Sequence, residues 1–143
     1  MKLARTLRLV GALGVLVGAL VHGYLWSEDY KDIPSIEGPE LFKVGNLFLA
    51  NLVTGVIIAL AIVVLKHRKA DLAVVAGIGW SISALLGFYV SRNGGLFGFE
   101  EMLWQPAPEA AISVAAEAVA LVALAGALAA ARVPDRRSLA HMR

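Results

Sequence analysis

The fold class this sequence predicts is all-α: an integral membrane four-helix bundle. Two observations carry that prediction, four long apolar runs and the way the basic residues are distributed around them. The chain has 143 residues, of which 59% are hydrophobic and only 17% charged, and a mean hydropathy of +0.73. That is far more apolar than a water-soluble domain of this length. The runs are Leu9 to Trp26, Val44 to Leu65, Leu72 to Ser91 and Ala110 to Ala131. Each is close to the roughly 20 residues that cross about 30 Å of hydrocarbon as a helix. None alternates polar with apolar residues as a barrel strand does, and backbone polar groups in lipid must be satisfied within the segment.

The first run follows MKLARTLR, so it also has the form of a secretory signal, with Val21, His22 and Gly23 as a weak cleavage site. Its apolar stretch is longer than a usual signal core, which favours a retained first span. Orientation follows from the cations. Lys2, Arg5 and Arg8 precede the first span, Lys66, Arg68 and Lys69 fill the link after the second, and Arg132, Arg136, Arg137 and Arg143 follow the fourth. The other two loops, 27–43 and 92–109, hold or border Glu28, Asp29, Asp32, Glu37, Glu40, Glu100, Glu101 and Glu109, with only Lys31, Lys43 and Arg92 as cations. The positive-inside rule then places both termini in the cytoplasm and both acidic loops outside, as for a multi-pass protein of a bacterial plasma membrane.

The outer loops have distinct characters. SEDYKDIPSIEGPELFK is punctuated by Pro34, Gly38 and Pro39, which argues for ordered turns at the membrane edge. RNGGLFGFEEMLWQPAP sets Leu96, Phe97, Phe99, Met102, Leu103 and Trp104 beside Glu100 and Glu101, a mixture suited to a short interfacial segment or a packed loop.

Helices associate in lipid by close backbone approach, so small residues at spacing four mark contact faces. Three ridges have that spacing: Gly14, Gly18 and His22; Asn51, Gly55 and Ala59; Gly79, Ser83 and Gly87. In the fourth span Ser113 and Glu117 share a face among many alanines. At about 1.5 Å of rise per residue, His22 sits about 6 Å below the outer boundary, Asn51 about 10 Å, and Ser83 and Glu117 about 12 Å. The four polar groups therefore share a layer in the outer half of the bundle. A charged carboxylate there costs about 3 kcal/mol on insertion scales, so Glu117 requires a proton, a hydrogen bond or a partner. His22 is the one other titratable group of this layer, available as a neutral hydrogen-bonded mate or as an ion-pair partner.

Three roles suit such a layer: interhelical glue, a ligand or proton-handling site, and an intersubunit contact. As a ligand site it comprises His22, Asn51, Ser83 and Glu117, capped by the Phe97 to Trp104 segment, with Trp104 as a contact and a lipid or quinone as occupant. No catalytic residues are assigned. No cofactor is expected: the spans offer one histidine where a b-type haem takes two ligands, and His22 with Glu117 falls short of a metal site. The chain has no cysteine, which removes thiolate and dithiol chemistry. The cations follow topology, which argues against a nucleic-acid partner. The corresponding functions are an accessory or binding protein, a structural subunit of a larger membrane complex, and a proton-coupled transporter acting as a homodimer through Glu117.

The segments IPSIE, GNLFLAN and GGLFGFEE, at Ile33 to Glu37, Gly45 to Asn51 and Gly94 to Glu101, resemble a group of small four-span membrane proteins of high-GC Gram-positive bacteria. The four-span layout is more distantly similar to the DoxX-like superfamily, some of whose members associate with quinone or redox systems. The resemblance implies the architecture and a membrane setting, and no catalytic residue.

Overall fold

The computed structural model describes residues 2–33 and 43–132. The centre of the first acidic loop, with Pro34, Gly38 and Pro39, and the basic tail from residue 133 onward lie outside the described residues. Four helices long and apolar enough to cross a membrane make up the chain among the described residues. Helix α1 runs Lys2–Leu25 and continues through a π-helical turn, Trp26–Tyr30; α2 is Val44–Val64, α3 His67–Arg92 and α4 Glu109–Arg132.

Three of these helices, α1, α3 and α4, reach past the apolar windows into charged residues, whereas α2 stops between Lys43 and Lys66. α1 takes in Lys2, Arg5 and Arg8, and α3 takes in His67, Arg68 and Lys69. Long basic side chains can extend to the water interface while their backbone stays helical, so a charge ends an apolar run without ending a helix. Between α2 and α3 the chain is helical except at Leu65 and Lys66, whose extended backbone reverses its direction. Large apolar side chains face away from the bundle on every helix, among them Leu13, Ile57, Leu72 at 69% exposure and Val122 at 73%. In water such surfaces would drive aggregation; in acyl chains they are solvated.

The helices stand in the cyclic order α1, α2, α3, α4. α1 packs along both α2 and α4, α3 closes the ring against the same two helices, and α1 and α3 meet only briefly across the diagonal. The core is built from Val15, Ala19, Ile62, Val74, Trp80, Ala120 and Leu124. Trp80 is its central anchor: a Cβ on Gly18 would lie 3.1 Å from the indole, and one on Gly55 2.9 Å from it. Glycines on α1 and α2 thus make the slot the ring occupies, and the indole N–H donates to the Asn51 carbonyl at 3.2 Å. At the end of the bundle that carries both helix α1's start and the 65–66 link, the Arg8 guanidinium donates to the carbonyls of Ile62 (2.7 Å) and Leu65 (3.5 Å). It occupies the unpaired carbonyls that end α2.

The ridges on α1 and α2 lie at helix contacts, with Gly14, Gly18, Gly55 and Ala59 buried. The α3 ridge does not. A Cβ at Gly79 or Gly87 meets nothing within 4 Å, and Ser83 is exposed. The contact face of α3 is instead Ala73, Gly77, Trp80, Ser81 and Ala84. Ala73, Gly77 and Ser81 form a second small-residue ridge at the same spacing, and the bulk of Trp80 decides between the two, because only one face can bring the indole into the core.

Substituting leucine at Gly55 forces a Cβ to within 2.7 Å of the Ala19 methyl, and is expected to cost about 1–3 kcal/mol of overpacking. The same change at Gly79 is expected to leave stability unaltered. Thermal unfolding in detergent, followed by tryptophan fluorescence, distinguishes the two; equal melting temperatures would contradict this packing.

Candidate functional site

A cavity of about 470 Å³ opens at the end of the bundle that carries the two acidic loops. It exists because α3 stands off there: between Ala84 and Ser91 no residue of α3 is buried. The walls are mainly apolar, from Leu25, Leu47, Phe48, Ala84, Gly87, Phe88, Phe99 and Ala110 among others, with polar groups at two levels.

The deep level holds Glu117, 2% exposed. Its Oε1 accepts the Ser113 hydroxyl at 2.7 Å, one helical turn earlier on α4. Across the α1/α4 contact a Cβ on Gly18 would lie 3.3 Å from Glu117 Cγ, so the glycine allows the carboxyl to lie against the α1 backbone. His22 Nδ1 lies 2.8 Å from the Gly18 carbonyl and 3.8 Å from Glu117 Oε1. Because a carbonyl can only accept, Nδ1 carries the proton that makes the shorter contact, and histidine and glutamate are neighbours without a direct hydrogen bond. The imidazole is held by rings as well, 5.1 Å from Phe48 and edge-on to Trp80 at 6.0 Å between centroids.

The shallow level is organised by Arg92 at the end of α3. Its Nε donates to the Leu103 carbonyl at 2.5 Å, Nη1 to the Phe88 carbonyl at 3.2 Å and to Ser91 Oγ at 2.8 Å, and Nη2 to the Gln105 carbonyl at 2.5 Å. The guanidinium also stacks 3.7 Å above the Phe88 ring and lies 3.8 Å from Glu101 Oε2. One side chain therefore ties the end of α3 to both sides of the loop. The loop is a sequence of turns with no helix: Leu96 and Phe99 exchange backbone hydrogen bonds at 2.7 and 3.0 Å, and Gly95 and Gly98 take positive φ of 78° and 79° that favour glycine. The Glu101 N–H donates to the Ser91 carbonyl at 2.9 Å and seats the loop on α3.

Tyr30, at the end of the π-helical turn, stacks on Phe48 at 4.3 Å and meets Phe99 edge-on at 5.6 Å. Its hydroxyl neighbours the Glu101 carboxyl. Burial pushes the Glu101 carboxyl above the ordinary carboxylate range, an effect reinforced by Asp29 and opposed by the Tyr30 hydroxyl and by Arg92.

Of the residues expected to form the site, His22, Asn51, Ser83 and Glu117 all line this cavity. Ser83 lies at its edge, with its hydroxyl donating to the Trp80 carbonyl at 2.8 Å. Trp104 is elsewhere: it is 54% exposed, packs on Phe88 at 5.3 Å and is not part of the lining. The loop residues that reach the cavity are Leu96, Phe97, Phe99 and Glu101. Arg92, Glu101 and Tyr30 are the functional candidates the sequence did not single out. The signal was there in Arg92, a lone arginine where the chain leaves the membrane amid acidic residues. Among the described residues no group of three or more His, Cys, Asp and Glu is placed to hold a metal.

Fold and surface define this protein as a small multi-pass membrane protein built of four apolar helices. No family model matches the chain, and no curated protein or solved structure matches it.

Because its carboxyl titrates above the unfolded value, Glu101 in the folded loop holds a proton at a pH where the unfolded chain has lost it. Loop stability is therefore expected to be greatest below the ordinary carboxylate range and to fall as pH rises through the raised one. Glu101→Gln is expected to flatten that dependence. Hydrogen exchange of the 93–105 amides across this range, corrected for intrinsic rates, reads the effect; a wild-type profile independent of pH would refute it.

Proposed function

We propose that the protein is a small accessory or binding protein of a bacterial plasma membrane whose cavity takes a small amphipathic molecule, of the size of a single lipid chain or a quinone ring. One observation carries this reading: a cavity of about 470 Å³, apolar along most of its wall and lined also by His22, Asn51, Ser113 and Glu117. Ligand sites have this size and this balance of apolar wall to a few convergent polar groups. Helical glue alone leaves no room beside its polar groups. The resemblance to four-span proteins of high-GC Gram-positive bacteria, and the DoxX-like layout, agree with a membrane setting for such a role.

Both termini lie in the cytoplasm in this reading, and the cavity opens toward the outside. Ten of the thirteen Lys and Arg residues flank the spans at the terminal end, which is the positive-inside distribution. As the chain has no cysteine, single cysteines report topology directly. Met102→Cys is expected to react with a membrane-impermeant maleimide in intact cells, and Arg68→Cys only after permeabilisation. The opposite pattern would invert the orientation.

A structural subunit of a larger complex is favoured by a different observation, the small residue Gly79 on an exposed face of α3 with open space around it. The two readings part at Gly87, which lines the cavity and whose Cβ would meet nothing within 4 Å. Gly87→Leu fills space without displacing a neighbour. Lipid extraction and native mass spectrometry of the purified protein are expected to show a bound small molecule in the wild type and its loss in Gly87→Leu at unchanged oligomeric mass. Loss of a partner chain with no small molecule in either sample would favour the subunit reading.

A further inference from the structure

The donors and acceptors lining the cavity are unequally committed. Three serines line it, and each has spent its single hydroxyl proton inside the protein: Ser83 on the Trp80 carbonyl at 2.8 Å, Ser91 on the Phe88 carbonyl at 3.0 Å and Ser113 on Glu117 at 2.7 Å. Arg92 has five N–H groups. Four make the contacts with Leu103, Phe88, Ser91 and Gln105, and its remaining Nη2 edge lies 3.8 Å from Glu101. His22 donates its Nδ1 proton to the Gly18 carbonyl, so the neutral ring keeps Nε2 as an acceptor.

The acceptors are in the opposite condition. Glu101 lines the cavity, and its Oε2 is buried without a hydrogen-bond partner. Glu117 lines it with one oxygen engaged by Ser113, whereas a carboxylate has about four lone-pair sites. Tyr30 and Asn51 also line the cavity with a hydroxyl and a side-chain amide, each donor and acceptor alike and neither charged. Two acidic groups and one arginine, four of whose N–H groups are spent inside the protein, leave the described lining short of positive charge. The walls between them carry Phe48 and Phe99, aromatic rings of the kind that attract cations, while Phe88 already holds the Arg92 guanidinium.

We propose that the cavity selects hydrophobic amines: amphipathic molecules with an apolar body and a cationic, hydrogen-bond-donating ammonium end. The inference rests on the reading of the cavity as a ligand site and narrows the class of its occupant. An ammonium brings three donors and one positive charge to a site with surplus acceptors. Where Glu101 or Glu117 holds a proton before binding, the incoming cation displaces that proton to solvent and the charge balance is kept. A carboxylate or phosphate head brings more acceptors and a like charge, and so leaves both sides unpaired. A quinone, whose polar atoms are neutral carbonyl acceptors, brings no charge to set against the second carboxyl.

The test is a set of three probes with one apolar body: 4-phenylbutylammonium, 4-phenylbutanol and 4-phenylbutanoate. Each is titrated calorimetrically into the full-length protein in detergent at neutral pH, against protein-free micelles. The amine is expected to bind about tenfold or more tightly than the alcohol, and the carboxylate to show no binding. Glu101→Gln and Glu117→Gln, near-isosteric changes whose helicity is checked by circular dichroism, are each expected to weaken the amine about tenfold and to leave the alcohol unchanged. Alcohol or carboxylate binding equal to the amine would overturn the selectivity and leave the cavity a ligand site. Failure of all three probes would remove the ligand reading together with this inference. Amine binding indifferent to both substitutions would also overturn it, since its cation would then be held elsewhere.

Discussion

The close approach of α1 and α4 is the constraint on which the rest of the structure depends. At Gly14 a Cβ would lie 2.7 Å from the Ala116 carbonyl oxygen, and at Gly18 3.3 Å from Glu117 Cγ. Side chains at these positions would push α4 outward and turn Glu117 toward acyl chains, where a charged carboxylate costs about 3 kcal/mol on insertion scales. With glycine there, the carboxyl lies inside the bundle against the α1 backbone and takes its hydrogen bond from Ser113. The same glycine forms one side of the Trp80 slot, with Gly55 on the other helix. Two features of the core thus depend on the missing methyl group at position 18.

The shallow half of the cavity has an independent origin. Arg92 orders a turn-rich loop by occupying carbonyls that come from the loop and from the last turn of α3. The two halves are joined by rings: His22 to Phe48 at 5.1 Å, Phe48 to Tyr30 at 4.3 Å and Tyr30 to Phe99 at 5.6 Å. This ladder runs from the deep polar level to the loop on α1, α2 and the π-helical turn. Loop and deep level are thus joined by continuous aromatic contact.

How much of this was legible before any coordinates follows from the kind of signal each feature leaves. Helix number came from run length, because hydrocarbon thickness imposes a length on any span. The α1 and α2 contact faces came from small residues at spacing four, since nothing larger fits where those backbones meet. α3 defeated the same rule: Gly79, Ser83 and Gly87 compete with Ala73, Gly77 and Ser81 on a helix whose apolar residues surround it. Only the placement of Trp80 separates them, and that is a property of three helices together. Trp104 illustrates a different failure. An aromatic residue near the membrane edge satisfies the interfacial rule whether it points into a pocket or away from it, and here it packs on Phe88 and stays out of the lining. In the sequence Arg92 is one of three cations among acidic residues and nothing more, because most of its partners are backbone carbonyls, which any sequence supplies and none advertises.

The two ends of the bundle divide the work. Toward the termini, Val15, Ile62, Val74 and Leu124 fill the interior, and Arg8 closes the end of α2 with two carbonyl contacts. That half holds the helices together by packing, and the buried Ser81 hydroxyl beside it is returned to the Gly77 carbonyl at 3.0 Å. Toward the acidic loops, α3 has no buried residue between Ala84 and Ser91, and the bundle gives up dispersion contacts that a close-packed helix would make. A small membrane protein has few such contacts to spare, and filling this gap with leucine or isoleucine would need no change of fold. The gap instead coincides with His22, Asn51 and Glu117, side chains that are costly in an apolar interior. Open volume and costly polar groups at one end, beside a closely packed half, are the contrast on which the proposed ligand reading rests.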